Sequence, residues 1–358
     1  MKRLYHIQRI LLLLAILLGT TGMAHAETTG GQEEGGVDVK EIVLGHLSDA
    51  YEWHILSTPG KHITLPLPVI VKSHDGTWHT FSSSRLSHGI RYNGFYIDEE
   101  RNGKIYEELP DGQTERPLDL SITKDVVQIG IVMIIMLSLF LGCARWYRGR
   151  SAADDAPKGL VGTVEMMVMS IYDDVIKPGV GVERAPKYGP FLLTAFFFIF
   201  ITNLLGLIPI FPGGANVTGN ISITLLLALL VMLAINLFGN REYWRETFWP
   251  EVPVWLKVPI PLMPVIEIFG IFIKPFALMI RLFANMMGGH ATILSLTCVI
   301  FITCQIGVAI GASLSLVSFL LMIFMNALEL LVAFIQAYVF TMLSAVFIGM
   351  AHPQGHHS

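Results

Sequence analysis

The sequence predicts an all-α polytopic membrane protein with about five membrane helices plus an interfacial amphipathic helix, the last two membrane helices long and tilted, behind a small β-rich exported N-terminal extension. Three observations carry this reading. Of the 358 residues, 53% are hydrophobic and only 15% charged, whereas soluble domains carry about 25% charged residues. The charges cluster outside a series of apolar blocks, so the net charge of −4 gives no reason to invoke nucleic acid. Third, Arg281 sits inside the longest apolar region, on the stretch K-P-F-A-L-M-I-R-L-F-A-N-M-M-G-G-H (274–290), which contains no acid to neutralise it. An arginine at mid-bilayer costs roughly 2.5–3.5 kcal/mol on insertion scales, and its pKa is too high for it to escape by deprotonation. It must face water or a carboxylate, and the carboxylate is expected on another chain.

Taken in order, residues 1–26 read as a secretory signal: Lys2, Arg3 and Arg9, an apolar run over 10–18, then Ala24-His25-Ala26 with cleavage expected after Ala26. The alternative is an uncleaved first membrane helix, for which the run is short. Residues 27–120 form a polar, periplasmic extension. It opens on a Gly/Glu-rich linker and carries turn signals at Asp75-Gly76, Asn93-Gly94 and Asn102-Gly103. Runs at 63–72, 77–81 and 94–97 read as short strands. Six of the twelve histidines fall here (His46, His54, His62, His74, His79, His88) at spacings that match no metal template, so solvated surface histidines are expected.

Residues 121–358 form the membrane domain. The first span is expected over 126–143, and Arg145, Arg148, Arg150 and Lys158 after it set that end in the cytoplasm. The stretch 161–176 is interrupted by Glu165, Asp173 and Asp174 and reads as the helix lying along the interface. Spans over 189–210 and 221–238 follow, joined by an uncharged loop in which Asn216, Thr218 and Asn220 suit helix N-caps. Asn203 either hydrogen-bonds to a neighbouring helix or lines a polar path. Residues 239–257 return to the cytoplasm, and Pro253, Pro259, Pro261 and Pro264 make this region a poor helix. Two long helices, over 265–304 and 312–350, close the chain around Gly307 and Gly311. Forty helical residues are about 60 Å long, twice the hydrocarbon thickness, which favours steep tilt over a break. Cys143, Cys298 and Cys304 lie in or beside these helices and form no redox or metal spacing. No Gly-rich phosphate loop, H-E-x-x-H or nucleophile elbow occurs, so the chain gives no sign of hydrolysing anything by itself and calls for no cofactor or metal.

The polar residues of the last two helices form a pattern. Glu267, Lys274, Arg281 and Gly288 recur every seven positions on one helical face, which Asn285 shares. His290, nine residues past Arg281, falls on the opposite side and about 13 Å further along. This is the pattern of two offset aqueous half-paths that do not join. Glu329 is the sole acid after Glu267; Gln336 shares its face, with Ala333, Ala337 and Ser344 nearby. An intramembrane acid is a functional candidate, and His290 is the partner available to it. A histidine–carboxylate pair either relays protons or braces two helices, and the roles are compatible.

These residues resemble subunit a of the F-type ATP synthase, the membrane stator of the rotary motor. The resemblance rests on the 274–290 stretch, on E-L-L-V-A-F-I-Q-A-Y-V-F (329–340) and on N-L-L-G-L-I-P (203–209), and it covers about 124–350. It implies that Arg281 is the essential charge facing a ring of c subunits, that Asn285 and Gln336 attend it, and that Glu267 belongs to the cytoplasmic half-path. It further implies proton entry near His290 and Glu329, b-type peripheral-stalk partners, indirect contact with the soluble catalytic sector, and a bacterial inner-membrane location with a cytoplasmic C-terminus. Two departures stand out. Many bacterial members carry a carboxylate where this chain has His290 and a histidine where it has Glu329. The extension over 27–120 has no counterpart in the better-known members. A secondary transporter binding an anion at Arg281, and a non-conducting scaffold whose working part is 27–120, are the rival readings. The first lacks clear inverted repeats, and the second leaves the lone arginine opposite a His/Glu pair unaccounted for.

Overall fold

The computed structural model describes residues 48–58, 61–98, 101, 103–109, 112–150, 156–208, 213–248, 262–306 and 308–352. The expected signal segment and linker lie outside them. The chain divides into two compact units.

The first unit contains the β module. Strands β1 (Glu52–Thr58) and β2 (Lys61–Pro66) form a hairpin. Strands β3 (Pro68–Lys72), β4 (Trp78–Ser82), β5 (Phe95–Asp98), β6 (Lys104–Glu108), β7 (Thr114–Glu115) and β8 (Leu118–Asp119) build two antiparallel three-stranded sheets, ordered β4-β3-β8 and β5-β6-β7. The turn signals at Asp75-Gly76 and Asn93-Gly94 bound strands, as does Gly103 of the third. Asn93 and Gly94 have φ of 52° and 82°, and Tyr92 and Phe95 exchange both backbone hydrogen bonds across them, which is the left-handed pair that a tight two-residue turn demands. Tyr51, Val69, Val71, Phe81, Leu86, Phe95 and Ile105 form the module's core.

Strands β1, β6, β7 and β8 are additions to the sequence reading, and the expected run over 63–72 divides into β2 and β3. In β6 the inward positions are Ile105 and Glu107, and the acid hides the alternation. Glu107 is buried yet satisfied, accepting from the Ser73 hydroxyl and, at 2.9 Å, from the His74 backbone N–H. The module's hydrogen bonds continue to the start of the first membrane helix. Leu120 and Ile122 donate to the Ile70 and Pro68 carbonyls, and the Lys124 amide donates to Ala50.

Helix α1 (Lys124–Tyr147) is followed by α2 (Leu160–Ser170), a π-helical turn (Ile171–Ile176) and α3 (Lys177–Val180). The interfacial stretch is thus an α–π–α elbow. Its Ile171, Val175, Ile176 and Val180 join the core of the second unit, and Lys177 pairs with Asp173 at 2.5 Å on its exposed side. Helices α4 (Ala185–Gly206) and α5 (Ile221–Phe238) come next; α4 starts about a turn earlier than its apolar run, with Pro186 in its first turn, where the missing N–H costs nothing. One expectation needs correction. The poor-helix region holds α6 (Arg241–Phe248), complete before the first proline, and Pro264 sits in the first turn of the next helix. The prolines mark ends and starts; those between 249 and 261 lie outside the described residues.

The last two helices are α7 (Leu262–Ile306), of 45 residues, and α8 (Val308–Met350), of 43. Neither breaks, not even at Pro275. At 1.5 Å per residue each is about 65 Å long. Among the described residues four stretches are long and apolar enough to cross a membrane: α1, α4, α5 and Leu314–Met350 within α8. The chain is a mostly helical, multi-pass membrane protein.

The end of α8 is packed unusually closely. A Cβ on Gly349 would lie 2.0 Å from the Gly179 carbonyl oxygen, and one on Gly179 would lie 2.7 Å from Ala345 Cβ. Just beyond, the Ala351 carbonyl accepts from the Asn240 amide. Arg184 donates to the His352 carbonyl at 2.7 Å, and the Tyr188 hydroxyl meets His352 Nε2 at 3.0 Å.

Candidate functional site

Three contacts set the register of α7 against α8 in the second unit. His290 Nδ1 lies 2.5 Å from Glu329 Oε1. Asn285 Nδ2 donates to Gln336 Oε1 at 2.6 Å. Lys274 Nζ lies 5.8 Å from the centre of the Phe347 ring. As numbers fall along α7 they rise along α8, so the helices run antiparallel in one unbroken register. This joins four of the six candidate polar side chains in two contacts across one helical pair, His290 with Glu329 and Asn285 with Gln336.

Arg281 is exposed in the isolated chain, as is Asn285, while Leu278, Leu282 and Met286 on the other side of α7 are buried. A helix that buries leucines on one side and leaves an arginine on the other presents that charge to whatever packs there next. Among the described residues no carboxylate pairs with it. Gln336, 2% exposed, reaches Asn285 from the buried side, so the amide pair links the arginine's face to the core.

His290 occupies the opposite side of α7, where Glu329 of α8 meets it. Glu329 is 4% exposed. Its oxygens lack a well-aligned hydrogen-bond donor, although Oε1 is in ion-pair contact with His290; the imidazole approaches it off the line of donation. His290 Nδ1 also faces the Met286 carbonyl at 3.1 Å, and Nε2 faces the Gly206 carbonyl at 3.3 Å. Both ring nitrogens therefore see oxygen acceptors, and a proton can sit on the ring or on the carboxyl group without leaving the cluster. Gly289 makes room for this: a Cβ there would lie 2.9 Å from Glu329 Oε1. The G-G-H run contained that signal, since glycine before a buried polar contact marks close approach.

Asn203 is buried and bonded on both sides. It accepts from the Thr218 hydroxyl at 2.7 Å and donates to the Ala333 carbonyl on α8 at 3.4 Å, one turn from Glu329. Asn216 and Asn220 cap their turns, accepting from Gly219 and Ser222 backbone amides. Thr218 does not cap; it reaches Asn203. Glu267 is half-buried near the start of α7, nearly four turns before Arg281 and more than six before His290. Cys143 and Cys298 are buried free thiols. Among the described residues no group of three or more His, Cys, Asp or Glu side chains could hold a metal ion.

Two family matches divide the chain where the β module ends. Residues 126–349 match the family described as ATP synthase A chain, and residues 42–121 match a family described as a domain of unknown function. Among curated relatives, ATP synthase subunit a 2 of Chlorobaculum tepidum is 43% identical over 249 residues, covering 66% of this chain and 66% of the relative. ATP synthase subunit a of Myxococcus xanthus is 40% identical over 258 residues, covering 70% and 79%. ATP synthase subunit a of Chlorobium phaeobacteroides is 40% identical over 268 residues, covering 72% and 74%.

Proposed function

The chain belongs to the ATP synthase A chain family, and from that premise we propose that it couples proton flow through the membrane to rotation of a c-subunit ring by way of Arg281. It is the proton-translocating stator subunit of an F-type ATP synthase and works in complex with the other subunits of that machine. In this reading α7 is the fifth span, residues 1–26 are a signal, 27–120 stay on the periplasmic side of a bacterial inner membrane, and the C-terminus is cytoplasmic. The chain itself performs no hydrolysis. Its direct partners are the c-ring, b-type stalk subunits and lipid.

Arg281 faces the ring and favours the ionised form of each carboxylate that passes, since an opposite charge nearby stabilises the anion. A proton arriving from outside by His290 and Glu329 neutralises that carboxylate and lets it turn into lipid. After nearly a full turn the proton leaves on the Glu267 side. A fixed positive charge between the two half-paths also repels any proton that would cross directly. Asn285 and Gln336 hold the arginine's face in place. Each proton delivers about 2.3 kcal/mol per 100 mV of potential, so several must pass for each ATP made elsewhere in the complex.

The observation that supports this most is the exposure of Arg281 on an otherwise apolar helix without an acidic partner among the described residues. A charge in that position is maintained only for function. The test compares ATP-driven acidification of inverted vesicles holding the whole complex with native Arg281 and with Arg281→Ala. Loss of pumping in a complex that still assembles supports the reading. Unchanged pumping returns Arg281 to a structural or anion-binding role.

A further inference from the structure

Helix α5 has 18 residues, about 27 Å of helix, against a hydrocarbon core of about 30 Å. None of that length is to spare, so the chain leaves the hydrocarbon at Phe238. Helix α6 begins three residues later, in the headgroup layer. Two contacts keep it there. The Asn240 amide, just ahead of α6, donates to the Ala351 carbonyl at 3.0 Å. The Tyr243 hydroxyl reaches back to Asn236 Oδ1, in the last turn of α5, at 3.3 Å.

At about 100° per residue, the side chains of α6 divide into stripes. Tyr243 and Thr247 are buried and face the protein. Trp244 and Phe248 follow about 100° round. Their rings stack with centres 5.7 Å apart, Trp244 half-buried and Phe248 53% exposed. Arg241 and Arg245, one turn apart and both exposed, lie about 60° further on. Exposed Glu242 comes last, about 80° beyond them. The order round the helix is therefore protein, aromatic, cation, anion. At the bilayer boundary such a helix sets its rings among acyl chains, its guanidinium groups at the level of the phosphates and its acid in water. The neighbouring Phe238 ring is 55% exposed, and Lys187 of α4 holds its ammonium 5.4 Å from that ring's centre, adding a cation at the end of the span.

We infer that α6 is a binding site for anionic phospholipid in the leaflet where α5 ends. Trp244 and Phe248 lie against the acyl chains, and Arg241 and Arg245 hold the headgroup phosphate. Arginine suits this role, since its planar fork donates two parallel hydrogen bonds to phosphate oxygens and never loses its charge. Basic residues at a membrane surface favour anionic lipid over zwitterionic lipid. The stacked rings add an attraction that does not depend on headgroup charge, so the two contributions can be separated.

The experiment measures tryptophan fluorescence of the whole complex in vesicles of equal parts phosphatidylglycerol and phosphatidylcholine. Bromine, which quenches tryptophan on contact, is carried on the acyl chains of one lipid or the other, so the composition never changes. The Trp244 signal is the part that disappears in Trp244→Phe. It is expected to be quenched about twofold more when phosphatidylglycerol carries the bromine. Arg241→Gln with Arg245→Gln is expected to make the two lipids equal while quenching by phosphatidylcholine persists. Should that double variant not assemble, Arg241→Gln alone is expected to lower the ratio in the same direction. Equal quenching by both lipids in the native complex overturns the inference, as does a preference that survives loss of the arginines. A Trp244 that neither lipid quenches also overturns it, because another subunit then covers α6.

Discussion

Asn285 and Gln336 are joined by a single 2.6 Å hydrogen bond from α7 to α8, one helical turn beyond Arg281. The donor stands on the arginine's exposed face and the acceptor in the core, so a change at either end reaches the other.

Asn285→Leu strands the buried Gln336 oxygen, at a cost of about 1–3 kcal/mol. The double change Asn285→Leu with Gln336→Leu removes both polar groups and strands nothing. Thermal denaturation of the detergent-purified complex is therefore expected to be lowered more by the single change than by the double, while proton pumping falls in both. A double variant as unstable as the single would show that the bond contributes by packing alone.

Exchanging His290 and Glu329 for one another is expected to restore more pumping than either single change. Removing only the histidine leaves a buried carboxylate unpaired, which costs about 3–5 kcal/mol. The 2.5 Å contact between the two makes them a coupled pair, and a double-mutant cycle on acidification rate measures the coupling. A loss in the exchanged variant equal, as free energy, to the sum of the two single losses would mean the residues act independently.

Two glycines offer a contrast between function and stability. Gly289→Ala meets the end of a flexible side chain, Glu329 Oε1 at 2.9 Å. The carboxylate swings aside, and conduction drops in a complex that still assembles. Gly349→Ala meets backbone, the Gly179 oxygen at 2.0 Å, and overpacking of this kind costs about 1–3 kcal/mol. Its expected readout is reduced yield of assembled complex.

The β module has a pH signature. Tyr51 is 3% exposed and its hydroxyl donates to the Asp119 carboxylate. Burial first, then that carboxylate, hold its phenol far above the ordinary range. Above about pH 10 the unfolded chain releases this proton and the folded module does not. The stabilisation is complete below that pH and is lost as pH rises beyond it. Tyr51→Phe is expected to shift alkaline unfolding, followed by tyrosinate absorbance, to higher pH. An unchanged midpoint would assign alkaline unfolding to other groups.

Much of this architecture was legible in the sequence because intramembrane charge is scarce. Arg281, Glu267 and Glu329 stand out against apolar surroundings, and heptad spacing alone separates the Arg281 face from His290. The pairing of α7 with α8 was less legible, since no local motif encodes the register of two long helices; only the His290–Glu329 complementarity hinted at it. Helix α6 was obscured by the prolines that follow it, which end a helix without forbidding one. Strand β6 was hidden by Glu107, whose inward position makes sense only once Ser73 and the His74 amide are folded over it.

The grip on the last turn of α8 has a mechanical consequence. A stator that faces a turning rotor must bear an equal and opposite sideways thrust, and a helix of some 65 Å held only midway would flex. Gly349 bears on the elbow at Gly179, Ala351 is held from the start of α6, and His352 is held by Arg184 and Tyr188 at the start of α4. Three separate elements thus anchor one end like the footing of a strut, and the reaction force is shared among them instead of bending the helix that carries Glu329 and Gln336.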